Sequence, residues 1–168
     1  MSIWHHPLSD ISYFRRLAYN VIGLDMVAKN PFLGVGPGNF TYYYATPAYR
    51  YITNTFNMVG KYVHNMYLFV ACDAGIAGLA CFLAILAVTF RGFIRTARSL
   101  SGNDGFLKKA VEMLEIAFVV YLVVGLTLPS HKQKYLWLMI GLSAAVTELR
   151  RKQIKHETAG NTAPHTSP

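Results

Sequence analysis

The sequence predicts an all-α membrane protein with about three transmembrane helices. Its 168 residues are 53% hydrophobic and only 14% charged, a balance that is unusual for a soluble domain. Long apolar runs match the roughly 20 residues that a helix needs to cross a bilayer. The formal charge of +8 clusters beside these runs, so it indicates membrane topology and not nucleic-acid binding.

The first segment, 1–65, precedes the longest apolar run. Within it, "SDISYFRRLAYNVIGLDMVAKNP" predicts a helix with Ser9 or Asp10 as its N-cap and Pro31 as its stop. Apolar side chains recur there at helical spacing, at Ile11, Phe14, Ala18, Val21 and Ile22. We expect an amphipathic helix that lies along the membrane surface or packs against other helices.

A glycine-rich stretch, "NPFLGVGPGNF", follows this helix. Gly34, Gly36 and Gly38 permit backbone angles and close approaches that side chains forbid, so we expect a tightly shaped loop. The loop is either a turn between two helices or a surface that faces a ligand. It does not predict a nucleotide-binding phosphate loop, because no Gly-Lys-Ser/Thr follows.

Aromatic residues are dense between 40 and 62, and they include Tyr42, Tyr43 and Tyr44. A tyrosine ring has an apolar face and a polar tip, which suits either a membrane interface or the face of a sugar ring. Both interpretations are open at this point.

The longest apolar run, 66–90, predicts the first transmembrane helix. Asn65 is its expected N-cap, and His64 lies just outside, near the positive end of the helix dipole, where it is either an interfacial polar residue or a functional one. Asp73 lies about two turns inside, where a carboxylate must face a partner, a cavity or water. The small residues of "DAGIAGL" indicate close helix packing. His64 and Asp73 can share a site only if His64 lies off the helix.

Two further spans are predicted at 111–128 and 135–149, so that 66–149 forms the transmembrane region. The connector 91–110 is basic and the tail 150–168 opens with "RRKQIK", which predicts that both are cytoplasmic. By parity, 1–65 lies on the outer, periplasmic side. The polar tail rich in Thr and Pro is expected to be disordered. Because no signal-peptide pattern precedes 1–65, we expect the carboxyl-terminal part of a larger polytopic protein.

Several motifs follow one another in a characteristic order: Arg16 in the amphipathic helix, "NPFLGVGPGNF", the aromatic loop, "HN" and "DAGIAGL". This order resembles the O-antigen ligase and polymerase family of bacterial membranes, over about residues 9–90. The resemblance implies a GT-C-like helical fold in the bacterial inner membrane. It also implies glycan transfer from an undecaprenyl-diphosphate carrier to an acceptor hydroxyl, on lipid A core or on a polysaccharide.

The resemblance further implies specific residues and partners. Arg16 takes the place of the motif arginine, with Arg15 as the adjacent fallback, and His64 takes the place of the motif histidine. Asp73 stands where the family usually has glutamate. The implied partners are the lipid-linked donor, the glycan or lipid A core acceptor, membrane lipids and the missing N-terminal helices; no metal, cofactor or nucleic acid is implied.

Elementary chemistry suits these assignments. An arginine fork can hold the oxygens of a diphosphate leaving group, and a histidine can accept the proton of the acceptor hydroxyl or donate one to the diphosphate. Tyr42, Tyr43 and Tyr44 are candidates to line the glycan path. We expect the chain to be inactive without the missing helices.

A non-catalytic interpretation is the alternative. In a polytopic module of a polysaccharide or anion transporter, Asp73 lines a polar path while Arg16 and His64 bind a passing anion.

Overall fold

Helices form the regular structure of the chain in its computed structural model. The structure describes residues 7–46, 62–100, 105–128 and 134–161, and the side chains of 16–46, 62–100, 105–128 and 134–155. Over these ranges the helices are α1 (Pro7–Lys29), α2 (Phe40–Tyr44), α3 (Met66–Ser99), α4 (Gly105–Val124) and α5 (Lys134–Asn161). The all-α prediction is confirmed for this part of the chain.

Among the described residues, α3 is the one helix long and apolar enough to cross a membrane, with a hydropathy of 2.2 over its best 18-residue window. The other two predicted spans fall largely on α4 and α5. Charged residues occupy the start of α4 and the second half of α5, which lowers their hydropathy over a span's length. A count of three spans therefore stays a prediction.

One end of α1 agrees with the sequence prediction and the other does not. The helix ends at Lys29, two residues before Pro31, as predicted. It begins at Pro7, so the predicted N-cap at Ser9 or Asp10 is wrong. Proline suits the first helical turn because its missing N–H would have no helical partner there and its φ is already helical.

The carboxyl-terminal prediction needs a second correction. Helix α5 continues to Asn161, so the prediction of disorder is wrong for residues 150–161. The run "RRKQIK" consists largely of good helix formers, and its charges do not oppose helix formation when they face water. The rest of the tail lies outside the described residues.

Gly75 breaks α3 within its apolar run. Its backbone has φ 69° and ψ −169°, a combination that is essentially confined to glycine. In a continuous helix the amide of Ile76 would donate to the carbonyl of Cys72. Here the Ile76 amide donates to the Pro31 carbonyl at 2.7 Å, and the Cys72 carbonyl accepts from the Val35 amide at 2.7 Å. The glycine-rich loop thus replaces helical hydrogen bonds at the break.

This docking explains why two motifs carry glycine. A side chain at Gly75 would collide with the backbone of Phe32, and one at Gly34 would collide with the backbone of Cys72. The Gly36 amide adds a third bond, to the Asp73 carbonyl at 3.0 Å. The loop is therefore a connection that packs into the broken helix. Within "DAGIAGL", Gly75 and the backbone of Ala74 meet this loop.

The described residues divide into two units, and each has its own buried core. The first consists of 7–46, 62–83 and 122–128, and the second of 84–100, 105–121 and 134–161. In the first, α1 approaches α3 closely at Gly23, whose carbonyl accepts a hydrogen bond from Cys72 Sγ at 3.3 Å. The core of this unit is Tyr19, Ile22, Met26, Val35, Phe40, Tyr44, Val63, Phe69 and Cys72. In the second, the rings of Phe93 and Phe118 are 5.9 Å apart.

Candidate functional site

The segment that carries His64 is fixed by the start of α3. Asn65 caps the helix as predicted, because its Oδ1 accepts the Leu68 amide at 2.9 Å. The Met66 amide donates to the Gly125 carbonyl at 2.7 Å, so the turn after α4 also anchors this end. His64 lies before the cap and off the helix, which is the condition under which His64 and Asp73 could share a site.

His64 packs against α1 through Tyr19. The two ring centroids are 6.0 Å apart with an interplanar angle of 30°. The Nδ1 atom of His64 is buried and has no hydrogen-bond partner among the described residues. A buried polar atom without a partner is costly, so this nitrogen is an open hydrogen-bonding position of the site.

Arg16 lies one turn before Tyr19 on α1, and its side chain is exposed. Burial lowers the pKa of His64 below its ordinary 6.5, and the positive charge of Arg16 lowers this pKa further. The imidazole is therefore neutral at neutral pH and can accept a proton. The structure brings Arg16 and His64 within electrostatic reach of each other.

The three tyrosines of α2 have different surroundings. Tyr44 is 2% exposed, and its ring meets that of Tyr19 edge-on at 5.4 Å. Tyr42 is 75% exposed, and its ring contacts that of Tyr43 at 5.9 Å. Tyr44 thus supports the wall behind His64, whereas Tyr42 and Tyr43 are available at the surface.

Asp73 lies in a different setting from His64. It is 8% exposed and belongs to the turn of α3 just before the break, where its carbonyl holds Gly36. The charge that acts on His64 comes from Arg16. Asp73 is thus placed under the glycine-rich loop. The side chain of Arg15, the fallback for Arg16, lies outside the described side chains.

Two residues that the sequence prediction did not select complete this surface. Tyr19 separates His64 from Tyr44, and Asn20 has a buried Oδ1 without a described hydrogen-bond partner. Both were detectable, because positions three and four after Arg16 lie on the same helix face as the arginine. Tyrosine and asparagine at these positions give that face polar groups next to the cation.

A groove of about 500 Å³ lies beside this surface, between α1 and the start of α3. Its lining is mostly apolar, with Asn20 and Asn65 as polar members. No three His, Cys, Asp or Glu side chains of the described ranges come together as metal ligands. An exposed arginine, a neutral histidine and an apolar groove together can receive an anionic group attached to an apolar chain.

Comparison with known proteins gives one match. Residues 8–83 match the model of a family described as O-Antigen ligase. This range contains α1, the glycine-rich loop, His64 and the break at Gly75. No curated protein and no solved structure matches the chain.

Proposed function

We propose, from the match of residues 8–83 to the O-antigen ligase family, that the protein transfers a glycan from an undecaprenyl-diphosphate carrier to an acceptor hydroxyl. The observation that carries the proposal is the charge of Arg16 acting on the half-buried, neutral His64 inside the matched range. The proposal places the chain in the bacterial inner membrane with 1–65 on the periplasmic face. The membrane assignment itself rests on the family and on the apolar helix α3.

Arg16 binds the diphosphate of the donor. As the bond between the sugar C1 and the diphosphate oxygen breaks, the electron pair leaves with the diphosphate and negative charge grows there. A guanidinium directs several N–H donors at such oxygens and stays charged at all working pH values. Interactions that strengthen as charge develops lower the barrier of the transfer step.

His64 acts as the general base. The acceptor oxygen forms the new bond to C1 and gives its proton to the neutral imidazole. The lowered pKa of His64 keeps it unprotonated at neutral pH, before the donor arrives. Binding of the diphosphate neutralises part of the Arg16 charge, so the basicity of His64 rises when the donor is in place.

The apolar groove beside Asn20 receives the part of the isoprenoid chain nearest the diphosphate. Arg16 and Asn20 are four residues apart on one helix face, so the diphosphate and the first isoprene units can follow α1 together. Tyr42 is exposed on α2 and offers a ring face to the glycan.

The test is glycan transfer by purified protein supplied with lipid-linked donor and with lipid A core or polysaccharide acceptor, together with any helices of the parent protein. Arg16→Gln and His64→Ala should each lower the rate by about 100-fold or more, the usual effect of losing an oxyanion donor or a general base. Lys29→Gln is the matched control, because Lys29 is an exposed cation at the other end of α1 and pairs with Asp25. Unchanged transfer in both variants, with normal expression, would exclude Arg16 and His64 from the catalytic site. No transfer by the unsubstituted protein would favour the non-catalytic interpretation.

A further inference from the structure

A second groove, of about 600 Å³, lies within the second unit between the later part of α3 and α5. Its walls come from one face of each helix, at Ile85 and Val88 on α3 and at Ile140 and Ala144 on α5. Arg91 and Arg95 line the end of the groove that lies towards the C-terminus of α3. The groove is therefore apolar along most of its length and cationic at one end, and no family assignment explains this arrangement, because the matched range ends at residue 83.

Polar contacts hold the two helices together beneath the groove. Ser143 Oγ donates to the Thr89 carbonyl at 2.8 Å, and the hydroxyls of Thr96 and Thr147 are 3.3 Å apart. Gly92 faces Ser143 so closely that a Cβ on Gly92 would lie 2.5 Å from Ser143 Oγ. Close contact through small residues fixes the separation of the helices, so the groove is a formed feature of the unit.

The cationic end of the groove has no carboxylate in its described lining. Arg91 and Arg95 are exposed and make no ion pair within the described residues. A smaller adjoining groove of about 250 Å³ shares Arg95 and adds Arg150, which donates to the Ser99 carbonyl at 2.7 Å, and Arg151, which pairs with Glu148 at 3.4 Å. No acidic residue is among the described residues that line either groove. The positive charge of Arg91 and Arg95 therefore favours an anionic ligand.

The apolar part is placed to receive the portion of an acyl chain next to a lipid headgroup. From Ile85 to Arg91 the helix rises about 9 Å, and the apolar side chains face outward over this distance. Because α3 is the helix that is apolar enough to cross the bilayer, the arginines stand at the edge of its apolar run. Basic pockets between membrane helices at this depth bind acidic lipid headgroups.

We propose that this groove binds an anionic phospholipid, with an acyl chain along the apolar wall and the phosphate held by Arg91 and Arg95. A free phosphate would leave the apolar wall exposed, and a zwitterionic lipid would bring its own cation into a site that has no described carboxylate. The inference is independent of the proposed glycan transfer.

The test uses the purified full chain in mild detergent and native mass spectrometry, with phosphatidylglycerol and phosphatidylethanolamine of identical acyl chains as probes. We expect phosphatidylglycerol to bind tighter, and the double substitution Arg91→Gln/Arg95→Gln to weaken it about 30-fold, as two surface cations contribute. The matched control, Arg98→Gln/Lys108→Gln, also removes two cations. Arg98 and Lys108 line a different cavity, so the affinity of this variant for phosphatidylglycerol should stay near that of the unsubstituted protein.

A second variant tests the apolar wall. Ala144→Phe should fill the groove and lower phosphatidylglycerol binding without changing the charge. The proposal is overturned if phosphatidylglycerol binds no tighter than phosphatidylethanolamine, or if the control double substitution loses as much affinity as the test one. It is also overturned if soluble glycerol phosphate competes as well as the intact lipid, or if Ala144→Phe leaves phosphatidylglycerol binding unchanged.

Discussion

The amide of Val35 donates a hydrogen bond to the carbonyl of Cys72, at 2.7 Å, in the place where a continuous helix would use the amide of Ile76. A loop and a broken helix thus complete each other's hydrogen bonding within an apolar run. Unsatisfied backbone groups cost several kcal/mol in hydrocarbon, so the break is tolerated because the loop covers it. The same contact fixes the chain just before α2 and the wall behind His64.

Substitution of Gly75 by alanine should destabilise the protein strongly. The residue adopts a backbone conformation confined to glycine, and a Cβ would meet the backbone of Phe32, so we expect a loss of about 3 kcal/mol. The melting temperature of the purified protein, followed by circular dichroism, measures this. Gly141→Ala is the control, since a Cβ there meets nothing within 4 Å and its effect should be small or stabilising. Equal shifts for both variants would contradict the packing described for the break.

Arg16→Gln should raise the pKa of His64. Two effects lower this pKa, burial first and the Arg16 charge second, so removing the charge brings the pKa back towards 6.5 while burial keeps it below that value. NMR titration of labelled histidine in the intact chain measures the change. Lys29→Gln should leave the pKa of His64 unaltered, because Lys29 is engaged with Asp25. If Arg16→Gln leaves the pKa of His64 unchanged, the charge of Arg16 does not act on His64.

Stability should fall as the pH is lowered through the range of His64 titration. Because the pKa of His64 in the folded protein lies below the ordinary 6.5, folding favours the neutral imidazole, and this contribution is fully present above 6.5. It is lost as the pH falls through the lowered pKa of the folded state. His64→Gln cannot titrate, so its melting temperature should depend less on pH over the same range. An identical pH dependence in the two proteins would assign the effect to other groups.

Gly92 and Ser143 should be energetically coupled. Gly92→Ala alone places a Cβ against Ser143 Oγ and should cost about 2 kcal/mol through overpacking. In the Ser143→Ala background that oxygen is gone and the nearest Ser143 atom to the new Cβ is 3.9 Å away, so the cost should fall by about 1 kcal/mol or more. Melting temperatures of the four proteins in this cycle provide the coupling. Strict additivity would mean that α3 and α5 separate at this level to admit the methyl group.

The helices were largely predictable, because their signals are local. The end of α1 before Pro31 and the Asn65 cap of α3 depend on residues a few positions apart. The buried face of α1 was only partly predictable: Ile22 is buried, but Val21 is 51% exposed. Periodicity gives two apolar stripes on this helix, and only the partner that packs against it selects the buried one.

The sequence by itself determined the helical architecture, the apolar span and the positions of Arg16 and His64 as candidates, since composition and motif order are properties of the chain. Tertiary structure decided that the glycine-rich loop enters the break of α3, that Tyr19 and Asn20 join the site, and that Asp73 lies under the loop. These features depend on hydrogen bonds and packing between segments far apart in sequence. No local pattern encodes which amide meets which carbonyl, because that pairing exists only once the segments have come together.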